Sequence, residues 1–210
     1  MPPPCAPLST VTPLSEPVQP SFSRTYSNAT PLYITALTNH PSPPYNARLE
    51  CWSLANTFTT YPTVGRALSL GNVDNATYVV LPPRSAEGWH RPPHLMFFVL
   101  LSGLAQVFAP RTNRPMPSVD MQFHAQGPAP MVGAPTTYER QWDVITIAPG
   151  SPQQVLIAGD TDMRSPGHLT YYPGDGETVA LQIPISGGVV PEHTVVHEGG
   201  CTGDEGEGRV

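Results

Sequence analysis

Lysine is absent from this chain of 210 residues, and charged residues make up only 12% of it. Without a side-chain amine, the chain cannot use a Schiff base or a lysine base in catalysis. The ten arginines are scattered and the formal net charge is −6, so the sequence offers no basic face for phosphate backbones. We therefore expect no nucleic-acid partner.

Long apolar runs are also missing. The longest, Leu95 to Ala105, has 11 residues, whereas a membrane helix needs about 18, so we expect no membrane partner. Residues 1–20 contain neither the basic segment nor the apolar stretch of a secretory signal. These two observations predict a cytoplasmic protein.

Cysteine is scarce. Cys5, Cys51 and Cys201 are odd in number and form no CxxC motif. This pattern predicts neither a zinc site nor a disulfide framework, and we interpret the three residues as free thiols.

Proline and glycine are abundant, with 28 and 18 residues, and they separate short apolar or alternating runs typical of strands. The pattern predicts an all-β single domain over residues 31–199, a disordered segment rich in proline, serine and threonine at 1–30, and a disordered acidic, glycine-rich tail at 200–210. Nine strands are predicted, at 48–54, 76–81, 95–101, 105–108, 119–124, 142–147, 154–158, 168–172 and 178–183. Strands at this spacing close most easily as a jelly roll or a sandwich, and the pattern does not choose between them.

Two stretches resemble the conserved motifs of the cupin superfamily. The first comprises LeuProProArgSer at 81–85, GlyTrpHis at 88–90 and PheValLeuLeuSerGly at 98–103, and the second is AspValIleThrIleAlaProGlySerPro at 143–152. The resemblance spans residues 49–184 and is strongest to a group of small fungal cupin-like proteins. It implies a cupin double-stranded β-helix, a jelly-roll barrel closed around an apolar pocket, and a homodimer.

Typical cupins bind a divalent metal through His-x-His and Glu in the first motif and one His in the second. At these four positions the chain has His90, Pro92, Met96 and Gln153, which form a poor ligand set because proline has no donor atom and methionine is a soft ligand. The resemblance therefore implies degenerate metal motifs, and we expect no cofactor. If a metal is bound, His90, His94 and His168 are the candidate ligands.

The cupin register also implies which side chains line the pocket. Met96, Phe98 and Leu100 would face inward from one strand. Gln153, Val155 and Ile157 would face them from another. Such an apolar cavity favours binding of a hydrophobic small molecule.

Catalysis without metal would use His90, His94 and His168 as general acid or base, with Tyr172 and Gln153 donating hydrogen bonds to a developing oxyanion. His168, Thr170 and Tyr172 alternate on one face of a strand, and that face is either in the barrel or solvated. His124 precedes a loop rich in glycine and proline and is a candidate for the pocket mouth.

The leading hypothesis is a metal-independent cupin of fungal natural-product metabolism. It would catalyse an isomerisation, epimerisation or cyclisation of a hydrophobic intermediate, without redox change. Two alternatives stay open: a metal-dependent cupin oxygenase, and a non-catalytic binding protein for small molecules.

Overall fold

The computed structural model describes residues 30–63, 65–115 and 141–206. These residues form thirteen strands and no α-helix, and a single 3₁₀ turn lies at Ser186–Gly188. The strands are β1 (Pro31–Asn39), β2 (Ala47–Thr57), β3 (Thr59–Thr60), β4 (Arg66–Ala67), β5 (Thr77–Leu81), β6 (Ser85–His90), β7 (Met96–Ser102), β8 (Ala105–Pro110), β9 (Trp142–Ile147), β10 (Val155–Ala158), β11 (His168–Tyr172), β12 (Thr178–Pro184) and β13 (His193–Glu198). The all-β prediction is confirmed.

The strands belong to two large sheets and one small hairpin. The seven-stranded sheet has the order β13-β2-β1-β10-β7-β12-β5, the four-stranded sheet has the order β6-β11-β8-β9, and β3 pairs with β4. Every pairing is antiparallel except that of β1 with β10. No ladder joins the two large sheets among the described residues, so the expected closed barrel is not seen there and the arrangement is consistent with a β-sandwich.

The main core lies between the two large sheets. Leu37, Leu100 and Leu156 enter it from the seven-stranded sheet, and Val107 and Ile147 from the four-stranded sheet. Each is at most 4% exposed, and burial of apolar surface of this kind is the main force that holds two sheets together. Smaller clusters cover the outer faces, which explains why β11 is buried on both sides.

Eight of the nine predicted strands coincide with, or overlap, described strands. The ninth, at 119–124, lies outside the described residues, as do residues 1–29 of the predicted N-terminal segment. The sequence did not predict β1, β6, β13 or the β3–β4 hairpin. The strands β6 and β13 were missed because their sequences, SerAlaGluGlyTrpHis and HisThrValValHisGlu, are too polar to show an apolar alternation.

The prediction of free thiols was wrong for two of the three cysteines. Cys51 on β2 and Cys201 form a disulfide across a sequence separation of 150 residues. Cys201 is 2% exposed, and its amide donates a hydrogen bond of 2.9 Å to the Thr35 hydroxyl. Residues 200–206, which the sequence assigns to the acidic tail, therefore pack against the body of the domain.

Candidate functional site

A cavity of about 230 Å³ lies between the two large sheets. Its apolar walls come from both sheets: Leu37, Val79, Leu81, Met96, Phe98, Ala105, Val107, Ile147, Leu156 and Ala158. Its polar groups are Glu87, His90, Arg91, His168, Thr170, Tyr172 and Gln182. An apolar chamber with a few polar groups is the usual form of a binding site for small molecules.

The first polar group of the cavity is a carboxylate–imidazole pair on β6. The Nε2 atom of His90 lies 2.9 Å from Oε2 of Glu87, and its Nδ1 atom lies 2.8 Å from the carbonyl oxygen of Gly88. Neither a carbonyl oxygen nor an ionised carboxylate can donate a hydrogen bond. Both ring nitrogens of His90 can donate to these oxygens only when the ring is protonated, so the contacts favour the imidazolium.

The pKa values of this pair agree with the hydrogen bonds. Burial lowers the pKa of His90, but its bonds to Glu87 and to the Gly88 carbonyl raise it more, and the net shift is upward. The hydrogen bond from His90 holds the pKa of the Glu87 carboxyl below its ordinary value. Each charge therefore stabilises the other.

The second pair is deeper in the protein. The Nδ1 atom of His168, on β11, lies 2.7 Å from Oδ2 of Asp160, and the two side chains are 7% and 0% exposed. A buried carboxylate in this position fixes the imidazole with its proton on Nδ1 and leaves Nε2 as the basic nitrogen. The structure gives Nε2 of His168 no hydrogen-bond partner among the described residues, so this atom is available to a ligand.

A β-bulge brings the two pairs together. His168 lies opposite His90 in the β11–β6 ladder and Thr170 lies opposite Glu87, so two steps on β11 match three on β6. In a regular strand, residues three apart face opposite sides. The extra residue turns Glu87 and His90 to the same side, and the rings of His90 and His168 meet with centroids 4.3 Å apart.

A glycine and a tyrosine hold this end of the cavity. Gly167 has φ +88°, and a Cβ there would lie 1.8 Å from the carbonyl oxygen of His90, so only glycine permits the close approach of β11 to the end of β6. The Tyr172 hydroxyl donates to Oε1 of Glu87 at 3.3 Å. Burial, and then the nearby Glu87 charge, raise the pKa of Tyr172, so the phenol stays neutral.

The structure brings most of the predicted site residues to this cavity. His90, His168, Met96, Phe98 and Tyr172 all line it. Thr170 lines it as well, so the face of β11 that the sequence left undecided points into the cavity.

Three of the other predicted residues lie elsewhere, and one is not described. His94 is exposed and does not line the cavity. Val155 packs on the outer face of the seven-stranded sheet, and the Gln153 side chain donates to the Cys201 carbonyl. His124 lies outside the described residues.

The predicted register of β10 was wrong by one residue. Leu156 pairs with Phe98 and Ala158 pairs with Met96, and it is these even-numbered residues of β10 that face the cavity. Ile157 belongs to the outer cluster. A shift of one residue exchanges the two faces of a strand, which is why Val155 and Ile157 point outward.

Sequence reasoning missed the two carboxylates. Glu87 is three residues before His90, a spacing that predicts opposite faces unless a bulge is foreseen. Asp160 lies in a loop after β10 and has no recognisable motif around it. The one available signal was Gly88, between Glu87 and His90 in β6, because glycine within a strand often marks a bulge.

The donor atoms in this cavity do not fit the divalent metal that typical cupins bind. Of the candidate ligands His90, His94 and His168, His94 lies outside the cavity, and the other motif positions there offer only the Met96 thioether and Pro92, which has no donor atom. Among the described residues, the one group of three donors within 4.8 Å of one another is Cys51, His197 and Glu205, away from this cavity.

Comparisons of this chain with protein-family models, with curated proteins and with solved structures found no match. Of the helical segments that the structure describes, none is long and apolar enough to cross a membrane.

Proposed function

We propose that the cavity binds a hydrophobic small molecule and moves a proton on it without redox change, as in an isomerisation, epimerisation or cyclisation. The observation that carries this proposal is the meeting of two imidazoles, each held by its own carboxylate, in a chamber with apolar walls. An imidazole with a nitrogen directed at the cavity can take and return a proton on a bound ligand, and a second imidazole beside it can stabilise the charge that develops.

The two histidines have opposite roles in this proposal. His168, whose Nδ1 atom is bound by Asp160, accepts the substrate proton at Nε2. His90, bound by Glu87, stabilises through its positive charge the negative charge that develops on the substrate. The apolar walls strengthen these electrostatic interactions because they exclude water.

Tyr172 is assigned a positioning role in this proposal. Its hydroxyl is directed at Glu87 and not at the open cavity. It thereby fixes the carboxylate that keeps His90 charged, a role in which an outer partner orients the group that acts.

The fold we propose is a cupin double-stranded β-helix without its metal. The motif resemblance supports it, as does a cavity enclosed by two sheets that share one core. A homodimer and a place in fungal natural-product metabolism follow from the same resemblance and stay predictions.

The test follows hydrogen–deuterium exchange at carbon in 2-tetralone, a small apolar ketone with acidic α-protons, by NMR in deuterated buffer. We expect saturable acceleration by the protein and its loss in His168→Gln and His90→Gln. The matched control is His94→Gln, at an exposed histidine outside the cavity. This variant should accelerate exchange of the ketone as much as the unmodified protein does.

Two outcomes would contradict the catalytic proposal. Exchange that survives both His168→Gln and His90→Gln would show that the cavity is not responsible. Saturable binding of the ketone without faster exchange would favour the non-catalytic binding protein instead.

A further inference from the structure

A second cluster of reactive side chains lies away from the cavity, where β13 meets β2. His197 is the ladder partner of Cys51, directly across the two strands. The chain turns after β13 and returns with Cys201, which is bonded to Cys51. Glu205 then places Oε1 at 3.3 Å from Nε2 of His197.

The donor atoms of this cluster converge. The Cys51 sulfur, a nitrogen of His197 and a carboxylate oxygen of Glu205 all lie within 4.8 Å of one another, and the Cys201 sulfur is bonded to the Cys51 sulfur at the side of this group. The two cysteines and the Glu205 side chain are at most 4% exposed, while the His197 side chain is 39% exposed. Three donors therefore converge, a fourth is bonded to one of them, and the half-exposed imidazole leaves one side of the cluster open to solvent.

We propose that reduction of the Cys51–Cys201 disulfide converts this cluster into a structural zinc site whose ligands are Cys51, Cys201, His197 and Glu205. Two thiolates, one imidazole and one carboxylate match the ligand types and the number that zinc takes in closed tetrahedral sites. The proposal is independent of the proposed function because it shares no residue with the cavity.

The chemistry balances with an external dithiol as reductant. The dithiol gives two electrons and two protons to the disulfide, yields two thiols, and is itself oxidised to a disulfide. Zinc then replaces the two thiol protons, which are released to solvent. Around a tetrahedral zinc with bond lengths near 2.0–2.3 Å, the donor atoms would lie roughly 3.3–3.8 Å apart. After reduction, the two sulfurs must therefore move apart, and the His197 and Glu205 donors must move slightly closer to them.

Glu205 is already oriented toward the cluster. Its Oε1 atom accepts hydrogen bonds from the amide and the hydroxyl of Thr202, and its Oε2 atom accepts one from the Gly203 amide. These bonds hold the carboxylate beside His197, so zinc would meet a ligand that is already in position.

The consequence is that the C-terminal segment, residues 200–206, stays attached to β2 in either redox state. Disulfides persist in oxidising compartments and are rare in the cytosol. The same four residues would hold the segment to β2 by a covalent bond in the first environment and by zinc in the second.

The experiment uses the full chain in a Cys5→Ser background, so that only the pair contributes sulfur. The protein is reduced with dithiothreitol, freed of the reductant without oxygen, and titrated with Co²⁺ and then Zn²⁺. We expect one Co²⁺ per chain with thiolate-to-cobalt charge-transfer absorption and intense tetrahedral visible bands, displaced by one Zn²⁺. The oxidised protein should show neither.

Variants separate the four-ligand site from binding by thiols alone. His197→Ala and Glu205→Gln should each weaken zinc binding by roughly tenfold or more, the loss that follows removal of even an outer partner of a metal site. His94→Ala, a histidine remote from the cluster, should bind zinc as tightly as the background protein.

Three results would overturn the proposal: no zinc bound by the reduced protein, binding that His197→Ala and Glu205→Gln leave unchanged, or equal binding by the oxidised protein. If reduction unfolds the chain, circular dichroism decides the matter. Recovery of the β-sheet spectrum on addition of zinc supports the site, and failure to recover contradicts it.

Discussion

Gly167→Ala is the sharpest test of how the cavity end is built. The new Cβ would lie 1.8 Å from the His90 carbonyl oxygen, and real contacts of this kind do not fall below 3.0 Å. The backbone at His90 must therefore move by at least 1.2 Å, the difference between these distances. Nothing flexible stands between the two atoms to absorb the shift.

Two costs combine in this variant. Holding alanine at φ +88° costs about 1–2 kcal/mol, as for other L-residues in the left-handed region. The steric clash adds about 1–3 kcal/mol, as for other overpacked sites. We expect a free energy of unfolding lower by about 2–5 kcal/mol and a Tm lower by about 4–20 °C, since each kcal/mol shifts a domain of this size by about 2–4 °C.

The assay pairs thermal unfolding with NMR titration of the histidines. Displacement of His90 from Glu87 should return the His90 pKa toward its ordinary value, and a displacement of about 1 Å should slow exchange of the ketone roughly 100-fold. Gly176→Ala is the control, because a Cβ there meets no atom within 4 Å. A Gly167→Ala protein as stable as Gly176→Ala, with an unchanged His90 pKa, would refute the reasoning.

Three further predictions concern the cavity. Glu87→Gln should flatten the dependence of Tm on pH below pH 4.5 and above pH 6.5, the ordinary pKa values of the two groups. The pair with His90 stabilises the fold fully between these values, and its contribution is lost as the pH falls through the lowered pKa of Glu87 or rises through the raised pKa of His90. An unchanged profile would contradict this. Asp160→Asn should slow ketone exchange by about 10³–10⁴-fold, because an amide no longer holds the proton of His168 on Nδ1. NMR of the His168 ring nitrogens should show the change of tautomer, and an unchanged tautomer would contradict the prediction. Leu156→Ala, at a site 2% exposed, should lower the free energy of unfolding by about 2–5 kcal/mol and alter ketone affinity in a fluorescence competition assay. Val155→Ala, on the outer face of the same strand, should leave that affinity unchanged. Equal effects of the two variants on affinity would refute the register of β10.

The strand pattern was predictable because half-buried strands alternate in sequence. The runs that became β7, β9 and β11 all have the apolar or alternating composition that burial requires. The short run of β10 is buried on both faces, so its sequence contains no polar residue to mark the outside. This is why its register was assigned wrongly and why Val155 was expected in the cavity.

The disulfide was not predictable from cysteine spacing. Pairing across 150 residues depends on where β2 and the C-terminal segment lie in space, and an odd count argues against a framework. Only the ladder that sets His197 opposite Cys51 shows that the chain returns to this point. Composition likewise assigned residues 200–206 to a tail, because glycine and acidic residues do not reveal a segment held by a disulfide and by hydrogen bonds between the Cys201 backbone and the Thr35 and Gln153 side chains.

The carboxylate–imidazole pair of β6 depends on contacts on both sides of the four-stranded sheet. Outside, Trp89 packs against Trp142 with ring centroids 5.5 Å apart, which fixes the bulged residues from the solvent side. Inside, Glu87 and His90 occupy the cavity face because the bulge has shifted the alternation. A strand without the extra residue would place one of the two in solvent, so the same all-β fold could exist without the charged imidazole. The proposed chemistry is therefore a property of this local irregularity and not of the fold.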